Sequence, residues 1–210
     1  MWCRSRRITA LCYKPSVAEK RADTILELMQ HIERATLNRA LTDLTDDELH
    51  WEPHRGAWGV RPRSGCTTAT PIGDGDWVMD FDEPLVIKAY SGGPPEPMAT
   101  IAWLISHIGS VPGMLATRNF LGGDLRGGKD APFMYQAVIF HDADHAVTTL
   151  RDGWRALETA LRDATDEALE RPSVEYYGPS NGMQLTLGAL NEVSHHGTQM
   201  CMLRDLFAHR

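Results

Sequence analysis

The chain is 210 residues long, 42% hydrophobic, and carries 28 acidic against 21 basic residues for a formal charge of -7. That length and apolar content suit one domain with a sizeable core, and the acidic balance offers no basic face to a phosphate backbone, so nucleic acid is not an expected partner. Four cysteines with no C-x-x-C pair are too few and too scattered for a disulfide framework; no segment approaches a membrane span, and a reducing cytoplasm is the expected setting.

The Arg-rich opening, residues 1–16, shows no periodicity and reads as a poorly ordered arm ahead of a single domain over residues 17–210. Helical spacing then appears in Ile25, Leu28, Met29, Ile32, Ala35 and Leu41, which predicts a first helix from Val17 to about Leu41. In "TDLTDDELHWEP", Thr45 to Glu48 matches the S/T-x-x-E capping box of a short helical turn, closed off by Pro53.

From residue 52 to 97 the composition shifts to Gly, Pro, Asp and Trp, and regular helix is not expected there. "DWVMDF" and "PLVIKAY" are candidate short strands. A segment of this length inside a compact domain tends to be functional or to cover something, which makes it a candidate lid. The second helix is predicted over "PEPMATIAWLISHIGSVPGMLATRNF", starting at the prolines, kinked at Pro112 and turning Ile101, Leu104, Ile105, Ile108, Val111 and Leu115 inward.

A Gly-rich break leads to a third helix, "HDADHAVTTLRDGWRALETALRDA", with Ala146, Leu150, Trp154, Leu157 and Leu161 on its apolar face. "TDEALERPSVEYYGPSNG" then turns the chain into a fourth helix that ends near Phe207. Four long amphipathic helices without an internal repeat predict an all-α four-helix bundle. The long irregular insertion between helices one and two permits a crossover there.

The fourth helix carries an anomaly. If Leu185, Ala189, Leu203 and Leu206 mark its buried stripe, then Glu192, His196 and Gln199 fall on that stripe too. A buried carboxylate needs a solvated groove or a positive partner. Glu192 and His196 stand at i and i+4, where two side chains can grip one ion, and His107 lies on the inward face of helix two. Two imidazoles and a carboxylate are the ligand set of many catalytic zinc sites and of the Fe(II) facial triad, with a position left open.

Blander readings stand beside this one. His107 alone would be a core histidine whose nitrogens find partners, and Glu192 with His196 would be a surface ion pair worth about 0.3–0.5 kcal/mol. His141 and His145 in "HDADH" form a competing i, i+4 pair with Asp142 and Asp144. At a helix start, however, aspartates are favoured by capping and by the macrodipole, so a capping role is expected. His195 points about 100° away from His196 and reads as a rim or interface residue. Cys201, in mid-helix, reads as a packed thiol.

"TIAWLISHIG" followed by "NEVSHHGTQMCMLRDL", after the opening "LTDLTDDELHWEP", resembles the DinB/YfiT-like metalloenzyme superfamily over about residues 20–208. The resemblance implies an up-down-down-up four-helix bundle. It also implies a divalent-metal enzyme (Zn, Ni, Fe or Mn) that transfers a thiol such as mycothiol or bacillithiol to small electrophilic molecules. The family pattern N-H-x-x-x-H-R-G-Q on helix four, with a third histidine in a W-L-x-x-H-I setting on helix two, puts ligands at His107 and His196. The same pattern puts its Asn at Asn191 and its Gln at Gln199.

Glu192 occupies the remaining ligand position, usually His; some relatives in the mycothiol-linked branch resemble E-x-x-x-H there, and glutamate is a competent oxygen ligand. The resemblance further implies that Gln199 orients a ligand or substrate and that the protein is a homodimer. Trp58, Trp77 and Tyr90 of the 52–97 segment are candidates to shape an apolar pocket over the open position. The alternative from another class is a non-catalytic bundle that binds a metal or small ligand, and Fe(II) oxygen chemistry would share the ligand set.

Overall fold

Side-chain caps at Thr45, Thr100, Asp142, Thr165 and Asn181 set the starts of five of the helices. In the computed structural model of the chain the described residues are 20–69, 71–82, 84, 92–93, 97–109, 111–115, 138–175 and 178–210. The arm expected at 1–16, Tyr90 and the strand expected in "PLVIKAY" beyond Pro84 lie outside them.

Helix α1 (Arg21–Ile32) buries Ala22, Ile25, Leu26, Met29 and Ile32. Its continuation is a π-helical turn, Glu33–Leu37, followed by α2 (Asn38–Leu41). The chain leaves α2 through Asp43, at φ 54°, a left-handed conformation that aspartate tolerates better than most residues. Arg204 closes this end by donating from Nη1 to the carbonyls of Arg39 and Thr42 at 2.9 and 2.6 Å. Its Nε donates to Glu48 at 2.9 Å. A cation on the last carbonyls of a helix meets the negative end of its dipole. The predicted capping box is present: Thr45 and Glu48 cap each other at the start of α3 (Asp46–His50).

In the 52–97 segment, β1 (Gly59–Pro62) pairs antiparallel with β2 (Trp77–Asp80), Gly59 opposite Asp80 and Pro62 opposite Trp77. Strand β2 falls inside the expected "DWVMDF". Asp80, 1% exposed, holds the intervening loop by accepting the N–H groups of Thr67 and Thr68 at 2.8 and 2.9 Å together with both hydroxyls. Arg61 Nε lies 3.0 Å from Asp80 Oδ2. Its N–H is not aligned for a hydrogen bond, so this contact is an ion pair. The guanidinium is also held by Glu52 and by the Ala57 carbonyl at 2.8 and 2.7 Å. Trp58 ties the hairpin to the next helix: its N–H donates to Met98 O at 3.1 Å, and Thr100 N–H donates to Trp58 O at 2.7 Å.

Helix α4 (Ile101–Ile108) begins not at the prolines but after Thr100, whose hydroxyl accepts from Trp103 N–H at 3.2 Å. A side-chain cap fixes the boundary more strongly than the tolerance of proline at a first turn. Residue 110, where the expected kink would join α4 to the next turn, lies outside the described residues, and Pro112 lies in the first turn of a separate element, α5 (Val111–Leu115). There its missing N–H removes no intrahelical bond.

Helix α6 (Ala143–Asp163) starts two residues later than expected. Asp142 accepts the His145 N–H at 2.7 Å, and Asp46 accepts that of Ala143 at 2.7 Å. Helices α5 and α6 cross at two glycines: a Cβ on Gly153 would stand 2.9 Å from the backbone nitrogen of Gly113. Backbone cannot rotate away as a side chain can. Gly153→Ala is therefore expected to lower unfolding stability by about 1–3 kcal/mol, although alanine alone favours helix by about 1 kcal/mol. A denaturation midpoint equal to or above wild type would show a looser crossing.

Helix α7 (Asp166–Glu170) and the hairpin of β3 (Pro172–Glu175) with β4 (Gly178–Asn181) precede α8 (Gly182–Ala208). The hairpin was not expected, because short strands containing proline show no two-residue alternation. Helix α8 packs on α1, the π-turn, α2, α4 and α5, while α6 packs on α1, α4 and α5. One hydrophobic cluster runs between them, including Met29, Leu49, Phe81, Ile105, Phe140 and Leu157. The described residues are mostly helical, with two small two-stranded sheets among them. Among the described residues no helix is long and apolar enough to cross a membrane.

Candidate metal centre

Helices α4 and α8 lie side by side, which brings His107 near the end of one to Glu192 and His196 on the other. Glu192 Oε2 is 3.2 Å from His196 Nε2 and 3.8 Å from His107 Nε2, and one donor atom from each residue lies within 4.8 Å of the others. Two donors at about 2.0–2.1 Å from one tetrahedral ion stand roughly 3.3 Å apart. The donor set and its spacing therefore fit a small divalent cation. Among the described residues this is the one group of three that could hold a metal.

The imidazoles of His107 and His196 hold the Glu192 carboxyl far below the usual carboxylate range, against the opposing effect of its partial burial. The glutamate is thus anionic at neutral pH. The stripe itself needs correction: Ala189 and Leu203 are buried as expected, but Leu206 is 45% exposed, and Leu190, Val193, Gly197 and Met200 complete the buried face. Glu192, His196 and Gln199 are half-buried beside that stripe, at the edge of a cleft.

Three contacts fix the histidine rings. Gln199 Oε1 lies 2.7 Å from His196 Nδ1; an amide oxygen only accepts, so Nδ1 carries the proton and Nε2 is turned toward the cluster. Trp103, one turn before His107, stacks on it with centroids 5.2 Å apart and planes 16° apart. His196 meets the His107 ring edge-on at 5.0 Å. Gln199→Ala is expected to weaken divalent-metal binding by about 10–100-fold with the fold intact. Competition against a chelating dye measures this, and an unchanged affinity would mean the amide does not orient the ring.

The next residue, Gly197, sets the depth of α8. A Cβ there would come within 2.6 Å of Thr36 Cγ2 in the π-turn, so glycine lets the π-turn approach directly behind His196. Cys201 packs in the same seam, its Sγ 3.5 Å from the Thr36 carbonyl. Burial pushes its thiol pKa up, in keeping with a packed thiol rather than a nucleophile.

A cleft of about 530 Å³ opens beside the cluster, bounded by Trp58, Met98 and Trp103 on one side and by Asn191, His195 and Met202 on the other. Trp58, from the insertion, lines it, and His195 stands on its rim. Trp77 is not among the lining residues: it stacks on His141 at 5.3 Å and packs 5.4 Å from His50, whose Nε2 meets the His141 carbonyl at 2.9 Å. The composition of the insertion could not distinguish the two tryptophans, because only the β1–β2 register places them at different points of the hairpin. His141 precedes α6 and His145 packs on Phe140, so this pair does not converge and "HDADH" serves as a helix start. Met98 and Met202 were missed. Met202 could have been found from its position seven residues after His195 and eleven after Asn191, on the same helix face; Met98, in irregular chain, carried no signal.

Neither a curated protein nor a solved structure matches the chain significantly. The family model of the DinB superfamily, by contrast, matches residues 29–200, from α1 through the insertion to the helix that carries Glu192 and His196. With most of its length and the whole cluster inside that match, the chain belongs to the DinB superfamily.

Proposed function

We propose that this protein is a divalent-metal-dependent transferase that joins a low-molecular-weight thiol of the mycothiol or bacillithiol type to small electrophiles, built on the up-down-down-up bundle of its family. The observation that carries the reading is the convergence of His107, Glu192 and His196 beside a cleft large enough for a small molecule. A divalent ion held by these residues supplies a Lewis-acid position that lowers the pKa of a thiol placed there.

The chain's own residues do the rest. The two Nε2 atoms and the carboxylate supply three donors and one negative charge, so a divalent ion leaves one positive charge for a single thiolate to neutralise. Gln199 keeps the His196 lone pair on the cluster, and Trp103 keeps the His107 ring from rotating. In the transfer, the sulfur–carbon bond forms as the bond from carbon to the leaving group breaks. The leaving group takes the electron pair, the thiol proton passes to solvent, and nothing is oxidised or reduced.

The test is turnover of monochlorobimane by purified protein loaded with Zn, Ni, Fe or Mn, with and without mycothiol or bacillithiol. Conjugate formation is expected to require both metal and thiol and to be lost in His196→Ala. No turnover with any metal and either thiol would favour a non-catalytic protein that binds a metal or small ligand.

A further inference from the structure

The cleft changes character along its length. On α8, Asn191, His195 and Met202 follow one flank while Glu192, His196, Gln199 and Leu203 follow the next. The polar residues crowd toward the cluster, and beyond Gln199 the wall is apolar. Six residues of helix separate His196 from Met202, or about 9 Å along the axis. Across the cleft stand Met98 and Trp58, whose backbones are fixed to each other by the Trp58 N–H bond to Met98 O at 3.1 Å.

Met98 and Met202 are 38% and 47% exposed, and both open onto this cleft. Two part-exposed thioethers that line the same cleft as a buried indole favour an aromatic guest, since methionine adapts its shape and sulfur contacts ring edges well. At about 530 Å³ the space suits a small molecule rather than a helix or a strand. The described residues that line it include no Lys or Arg, while Glu192 adds a negative charge. An anionic group at the apolar end would meet no cation among the described lining residues.

We infer that Met98, Met202 and Trp58 form a subsite for an uncharged aromatic group, about 9 Å along the helix from His196. The electrophiles of this protein are accordingly neutral aromatic compounds. The word electrophile rests on the transferase reading; the binding of the aromatic group does not.

The experiment uses two fluorescent probes that differ by one sulfonate: N-phenyl-1-naphthylamine, which is uncharged, and 8-anilinonaphthalene-1-sulfonate. Full-length protein is titrated with each, as wild type and as the double variant Met98→Gln, Met202→Gln, with circular dichroism confirming that the variant folds. The neutral probe is expected to bind saturably at one site, roughly tenfold tighter than the sulfonate, and to weaken by roughly tenfold in the double variant. Absent saturable binding, equal affinity for the two probes, or an unchanged affinity in the folded variant each overturns the subsite. If the probe binds as expected but monochlorobimane gives no thiol-dependent turnover, the transferase reading fails and the subsite stands. If turnover occurs with a KM for monochlorobimane that the double variant leaves unchanged, the subsite fails and the transferase reading stands.

Discussion

Single alanine replacements of His107, Glu192 and His196 are each expected to weaken binding of a divalent ion by roughly 100-fold or more. Outer partners of metal ligands already cost 10–100-fold when removed, and a direct donor should cost more. The magnitude is large because the cluster has only three donors, one from α4 and two from α8, so each variant loses a third of the coordination that the chain supplies. Metal content per chain after loading and desalting, read by inductively coupled plasma mass spectrometry, checks it.

The same binding should appear as stability. A ligand that binds only the folded state adds about 2.7 kcal/mol at a free concentration 100 times its Kd, so zinc should raise the melting temperature of wild type and not of the three variants. His141→Ala with His145→Ala should keep both the metal and the shift. Loss of metal in that control, with retention in the first three, would move the site to the start of α6.

Asp80→Ala is expected to be the most destabilising single change, by about 3–5 kcal/mol in urea unfolding. Its carboxylate is buried with two N–H groups, two hydroxyls and the Arg61 guanidinium around it. Removing it strands all of these partners and leaves a mostly buried Arg61 with only Glu52 and the Ala57 carbonyl. A loss under about 1 kcal/mol, the scale of an exposed pair, would show that water reaches the pocket.

The pH dependence follows from the direction of the shift. Burial pushes the Asp80 carboxyl up, but the Thr68 hydroxyl, together with the N–H and hydroxyl of Thr67 and the N–H of Thr68, outweighs it and holds the group below its ordinary value. A carboxyl depressed in the folded state contributes its stability in full above the unfolded pKa of about 4 and loses it as pH falls through the folded value. Wild type should therefore lose more stability than Asp80→Asn on going from about pH 5 to about pH 3. Glu48, also held low because Arg204 and the Thr45 cap outweigh its burial, should leave part of the acid sensitivity in that variant. Because the hairpin that Asp80 anchors also fixes Trp58 and Met98, its loosening should weaken the aromatic wall of the cleft before it affects the metal ligands.

What could be read in the sequence was what depends on local spacing. Thr45 and Glu48 announce their capping box three residues apart, the apolar residues of α6 repeat at helical intervals, and Glu192 and His196 share a helix face by arithmetic alone. Placing His107 beside them needed the packing of α4 on α8, which periodicity does not specify; the family resemblance supplied that pairing. Other features have no local signature. The π-turn at Glu33–Leu37 depends on how closely α8 approaches at Gly197, and the start of α4 depends on Thr100 rather than on the more conspicuous prolines. Strand β1 exists because Asp80 and Arg61 close the hairpin, a contact between residues 19 positions apart in the chain. Trp77 reads as a pocket residue in the sequence because tryptophans in an irregular segment look alike until the register separates them.

The central claim is that His107, Glu192 and His196 share one divalent ion. A crystal structure of the zinc-loaded protein, with data collected on both sides of the zinc absorption edge, tests it most directly. The expected result is a single strong anomalous peak per chain bounded by His107 Nε2, His196 Nε2 and a Glu192 carboxylate oxygen. An ordered cluster without that peak, or a peak beside His141 and His145 instead, would contradict it.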